Sequence, residues 1–138
     1  MGARAFWKSV HRLTALGISG YVREQEAARR PKIVVLCGST RYWEQFQETA
    51  LYETAAGRIV LAPGCNLKQP HPLWADPAQA DRLKTVLDDL HLRKIDMADE
   101  VLVVNPGGYI GQSTRREIAY ARSLSKPIRY THPTSDPS

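Results

Sequence analysis

Cysteine is nearly absent: Cys37 and Cys65 are the only two in 138 residues, too few for a disulfide framework. A reducing, cytoplasmic setting is therefore expected, with Cys37 acting as a small apolar residue inside a buried strand. Long hydrophobic runs are also missing. Nothing approaches the roughly 18 consecutive apolar residues that cross a bilayer, so no membrane partner is expected. The first residues lack the continuous apolar core and small-residue cleavage site of a signal peptide. The opening Met-Gly is followed by Phe6 where a myristoylation signal needs Ser or Thr. There is no internal repeat, no Gly-Lys-Ser/Thr phosphate loop and no GxGxxG, which argues against a whole nucleoside triphosphate or a dinucleotide as ligand. His11, His71, His91 and His132 are scattered and neither cysteine stands at a ligand spacing, so neither a metal nor a cofactor is expected.

What remains is an ordinary globular composition, 43% hydrophobic and 24% charged, at a length that suits one domain. The net charge of +5 is uneven. Residues 1 to 31 hold six basic side chains against Glu24 and Glu26, so +4 of the +5 lies there. The body is close to neutral, and nucleic acid is not the expected partner. Phe6, Trp7, Val10 and Leu13 follow helical spacing with Lys8 and Arg12 between them. This predicts a basic amphipathic helical arm over 1–31, which docks on its own domain, pairs subunits or lies on an acidic surface.

Residues 32 to 37, "KIVVLC", form a short β-branched run that reads as a strand buried on both faces. Trp43, Phe46 and Ala50 predict a helix over 42–56, stopped by Gly57. "RIVLA", 58 to 62, is a second strand. The proline-rich segment 63–81 that follows is too broken for regular structure, and a loop of that length is usually a lid, a binding loop or a subunit contact. Helical periodicity returns over 82–98 through Leu83, Val86, Leu87, Leu90 and Met97. "EVLVVN", 100 to 105, is a third strand, a helix spans about 114–124, and "KPIRY" is a fourth strand. This alternation predicts an α/β, three-layer Rossmann-like (flavodoxin-like) domain over 32–130 with a four- to five-stranded parallel sheet. Residues 131–138 are expected to be a disordered tail.

Such sheets bind ligands at the carboxyl ends of their strands. The first loop there, "CGSTR", sets Gly38, Ser39, Thr40 and Arg41 before a helix: free amides, two hydroxyls and a guanidinium, a pocket for a monophosphate. Ser39 or Thr40 serves equally as a helix cap. The second loop, "NPGGYIGQS", carries Asn105, Gly107, Gly108, Tyr109, Gly111 and Ser113, with glycines that let a ligand approach the backbone. Thr114 then stands three residues before Glu117, the spacing of a capping box. Glu117 therefore has two readings, a helix cap or a carboxylate aimed at a sugar carbon. Tyr42, Trp43, Trp74 and Tyr109 are candidates to stack on a base or simply to pack, with Trp74 the favoured stacker.

"VVLCGSTR" and "ADEVLVVNPGGYIGQSTRREIAYA" together resemble the nucleoside 2-deoxyribosyltransferase and nucleotide N-glycosidase superfamily over roughly residues 32 to 130. The resemblance implies that Glu117 is the nucleophile, following Ser113, Thr114, Arg115 and Arg116. It also implies a small-molecule nucleotide or nucleoside substrate, no cofactor, and a homo-oligomer, a dimer or larger. "PGGY" ahead of a helix glutamate is similar to the lysine-decarboxylase-like phosphoribohydrolases, at a different spacing. The superfamily carries an aspartate in the helix before the third strand; here His91 takes that position, one turn after Asp88. His91 is either an acid for the departing base, its ordinary pKa lying near neutrality, or a half-buried surface histidine. The expected activity is cleavage or exchange of the N-glycosidic bond of a nucleoside 5′-monophosphate or deoxynucleotide. The alternative is a non-catalytic nucleotide-binding or sensor module of the same fold.

Overall fold

The computed structural model describes residues 17–26 and 29–134. The chain divides into two compact units, Met1–Pro31 and Lys32–Ser138. In the first, residues 17–26 are helical, and the amphipathic stretch from Phe6 to Leu13 lies outside the described residues.

The second unit runs β1 (Ile33–Cys37), α1 (Trp43–Ala55), β2 (Ile59–Leu61), α2 (Pro77–Met97), β3 (Glu100–Val103), α3 (Gln112–Ser123) and β4 (Ile128–Tyr130). Single 3-10 turns lie at Thr40–Tyr42, Pro72–Trp74 and Pro106–Gly108. The four strands form one sheet in the order β2-β1-β3-β4. All pairs are parallel, with Val35 opposite Leu61, Cys37 opposite Val103 and Val103 opposite Tyr130. This is the expected Rossmann-like layer, with four strands.

The two-residue period of β1 sorts its side chains into two cores. Val34 and Leu36 join Phe46, Leu102 and Val104 on the α1 side. Val35 and Cys37 join Ile95, Val101, Val103, Ile118 and Ala121 on the side of α2 and α3. Burial on both faces is why β1 reads as an unbroken apolar run, and each such enclosed aliphatic side chain stabilises the fold by about 1.5–3 kcal/mol. Chain order places β2 on one side of β1 and β3 on the other, so the crevice beyond the carboxyl ends of β1 and β3 is the topological switch point. At its floor, a Cβ on Gly38 would meet the Val104 carbonyl oxygen at 2.5 Å; only glycine lets β1 turn there.

Three expectations are corrected. Helix α2 begins at Pro77, not 82: the Asp76 side chain accepts from the Ala78 amide, and proline is at home in a first turn, where its missing N–H costs nothing. Its buried face carries His91 and Ile95, whereas Val86, Leu90 and Met97 are exposed. Residues 131–132 are not a loose tail. The buried Asn105 accepts from the His132 amide (2.9 Å) and the Thr131 hydroxyl (3.2 Å), and its Nδ2 donates to the His132 carbonyl (3.0 Å).

Candidate active site

The loops after β1, β2 and β3 surround one pocket of about 480 Å3, within the range of small-molecule sites. Gly38, Ser39, Thr40 and Arg41 line it from the first loop. Ser39 also caps: its Oγ accepts from the Arg41 amide at 3.3 Å, at the start of a three-residue turn. Arg41 lies over the Tyr109 ring, 4.6 Å from its centroid, a cation–π contact that fixes both groups at the mouth. Tyr109, Gly111, Ser113, Thr114 and Glu117 line the opposite wall, and Asp88 and His91 reach it from α2.

Asn105, Gly107 and Gly108 do not line the pocket. Asn105 is the latch described above, and Gly108 lies where a Cβ would meet the Pro133 carbonyl oxygen at 2.9 Å. Trp74 is also elsewhere: its Nε1 donates to the Gln69 carbonyl and its ring packs on His71. Three cationic residues missed in the sequence, Lys68, Lys84 and Lys94, line the site. Lys68 donates to the Thr40 hydroxyl at 2.8 Å, and Lys84 pairs with Asp88 at 2.8 Å. Burial first, then the neighbouring charges of Arg41 and Lys84, hold the Lys68 ammonium below its ordinary pKa. Lys68 lies on the loop leaving β2, whose position at a carboxyl strand end was the available signal.

The capping-box reading of Glu117 fails. Helix α3 starts at Gln112 with Gly111 as its cap, so Thr114 is the third helical residue and Glu117 the sixth, a full turn beyond the free amides. The side chain turns inward instead. Glu117 precedes Ile118 and stands one turn before Ala121, both in the core, at the edge of the helix face that crosses the end of β1. Its Oε2 is enclosed without a hydrogen-bond partner.

Two side chains meet it there. Cys37, the last residue of β1, faces α2 and α3, and His91, one turn before Ile95, faces the same strand end. Cys37 Sγ and His91 Nε2 are 3.3 Å apart. His91 Nε2 and Glu117 Oε2 are 3.7 Å apart, too far for a hydrogen bond. Burial dominates all three titrations. It raises Glu117 to about 7, a hydrogen bond from Cys37 offsetting part of the rise and Asp88 adding to it. Burial, with Lys94 adding and Asp88 opposing, lowers His91 to about 4. The Cys37 thiol is pushed well above its ordinary range, by burial and then by Glu117. Near neutral pH the histidine is uncharged, the thiol protonated and the glutamate half ionised. Burial thus makes His91 a neutral neighbour of Glu117 near neutral pH, a weaker acid than a charged imidazolium.

No protein-family model matches the chain, and no curated protein matches it. Among solved structures, the fold is similar to that of a 2-deoxyribosyltransferase from the psychrotolerant bacterium Bacillus psychrosaccharolyticus, at a TM-score of 0.54 and 18% identity. The likeness covers 75% of this chain and 74% of that one. It shows a shared α/β architecture, the one that the resemblance of the two motifs implies.

Proposed function

We propose that the protein cleaves or exchanges the N-glycosidic bond of a nucleoside 5′-monophosphate or deoxynucleotide, with Glu117 as nucleophile. The observation that carries this reading is the Glu117 carboxylate itself: its Oε2 enclosed without a hydrogen-bond partner, its pKa raised to about 7 chiefly by burial, and its side chain lining the pocket at the switch point. A carboxylate stripped of water and of helix amides is costly to keep unless something uses it. In the proposed reaction Glu117 attacks C1′ as the C1′–N bond weakens toward an oxocarbenium-like state; the base leaves and takes its proton from water in the pocket, giving a glycosyl ester that water or a second base resolves and that returns the Glu117 carboxylate. Neutral His91 helps to enclose the carboxylate, and Asp88, the second carboxylate on the pocket wall, accepts hydrogen bonds from the sugar.

Arg41 and Lys68, with the amides and hydroxyls of residues 38–40, bind the 5′-phosphate. The crowding of Lys68 by Arg41 and Lys84 supports an anion there, since it is relieved by negative charge. Tyr109 bounds the space beside Arg41. The 2-deoxyribosyltransferase neighbour supports the class of chemistry, and a cytoplasmic homo-oligomer is part of the same proposal. No helix among the described residues is long and apolar enough to cross a membrane.

The test is incubation with ribo- and deoxyribonucleoside 5′-monophosphates, with and without an acceptor base, reading free base by chromatography for the wild type and Glu117→Ala. Base release by the wild type alone supports the reading. No release from any substrate, with ligand-induced stabilisation intact in both proteins, supports the non-catalytic nucleotide-binding module instead.

A further inference from the structure

The buried cluster at the pocket floor adds to Glu117 and His91 a thiol, Cys37, that the glycosidic reaction does not use. Cys37 Sγ, a ring nitrogen of His91 and a carboxylate oxygen of Glu117 all lie within 4.8 Å of one another. Two edges of that triangle are 3.3 Å and 3.7 Å. Three ligands of a tetrahedral zinc ion, bonded at about 2.0–2.3 Å, stand about 3.4–3.6 Å apart. The two edges at His91 already have nearly that length, the third is no longer than 4.8 Å, and the helices that supply two of the corners are packed on the sheet through Ile95 and Ile118.

A second observation points to an absent partner. Glu117 Oε2 is enclosed and unpartnered, and a buried acceptor of this kind calls for a donor or an ion. A thiol, an imidazole and a carboxylate suit a borderline ion, whereas magnesium and calcium take oxygen ligands. Thiolate and carboxylate together balance a dication, so the buried cluster is left neutral when the ion is bound. His91 and Glu117 also line the pocket, which leaves a fourth coordination position facing it.

We propose that Cys37, His91 and Glu117 bind one Zn2+ through Sγ, Nε2 and Oε2, with the fourth position open to the pocket. On binding, the thiol and whatever fraction of the carboxyl is protonated release their protons to solvent, and the histidine enters as a neutral ligand. The bound ion occupies the Glu117 oxygen that would attack C1′, so zinc inhibits the reaction proposed above. That consequence rests on the glycosidic reading; the binding does not.

The test is a Co2+ titration of the reduced, chelator-stripped chain. The expected result is one Co2+ per chain with a near-ultraviolet thiolate-to-cobalt charge-transfer band, bleached by Zn2+. The band is expected to vanish in Cys37→Ser, to persist in Cys65→Ser, and to weaken in His91→Ala and Glu117→Gln, with circular dichroism verifying each fold. Absence of the band in the folded wild type overturns the proposal, as does a band that disappears with Cys65 rather than Cys37. Zinc that binds through Cys37 yet accelerates base release leaves the metal site standing and overturns Glu117 as nucleophile.

Discussion

Glu117→Gln is expected to change the pH dependence of stability in a way that no cap mutation does. Folding raises the Glu117 pKa from 4.5 to about 7, so between those values the folded state holds a proton that the unfolded chain has lost. Stability from this group therefore falls as pH rises through that window. At about 1.4 kcal/mol per pH unit, the ionised, buried carboxylate costs about 3 kcal/mol by pH 8. His91 works in the opposite sense. Folding lowers its pKa from 6.5 to about 4, so its stability is complete above pH 6.5 and is lost as pH falls through 4. In the wild type the two slopes nearly cancel between pH 4.5 and 6.5. Glutamine keeps the shape and cannot ionise, so the variant shows the His91 slope alone, climbing about 3 kcal/mol across that range. Any fixed cost of placing an amide in the hole shifts the curve without bending it. Urea unfolding from pH 4 to 8 reads the difference between variant and wild type, which should grow from its acid-pH baseline by about 3 kcal/mol. A difference that stays constant with pH would refute the buried-carboxylate argument.

The pH–rate profile of base release is expected to rise through about pH 7 as Glu117 ionises; a profile already flat at pH 5.5 would contradict that role. Arg41→Met and Lys68→Met should each weaken inorganic phosphate binding about tenfold or more at low salt, as loss of a charge-assisted hydrogen bond does, read by calorimetry. Asn105→Ala removes the latch to Thr131 and His132 and should cost about 1–3 kcal/mol in urea unfolding while Co2+ binding at Cys37 survives. Gly38→Ala drives a Cβ into the Val104 carbonyl and is expected to lower stability by about 1–3 kcal/mol; an unchanged melting curve would mean that β1 does not end as described.

The parallel sheet and its switch point were legible because β1 and β3 are buried on both faces, and runs such as "VVLC" and "VLVV" have little alternative use. The two loops followed from where those strands end. Glu117 was half legible: Thr-x-x-Glu matches a capping box, yet Gly111 already caps α3, and a spacing of three does not reveal where a helix begins. The partners of Glu117 were hidden for another reason. Cys37 and His91 are separated by 54 residues and meet only because the last residue of a strand and the inward face of a helix reach one corner of the fold. The identity of His91 suggested an acid near neutrality, but burial, which decides its pKa, is a property of packing. Asn105 looked like a ligand-binding polar residue beside a glycine loop, and its real partners lie in the segment after β4, which composition alone marks as loose.

The central claim is that Glu117 forms a bond to the sugar. The most direct measurement is acid quench of the enzyme with a 2′-fluoro-arabino nucleoside 5′-monophosphate, whose fluorine slows breakdown of the glycosyl ester, followed by tryptic mass mapping. The account predicts a mass increase equal to the fluorinated sugar phosphate on the peptide Glu117–Arg122, absent in Glu117→Gln. Base release with that peptide unmodified, or with the adduct on another residue, would contradict it.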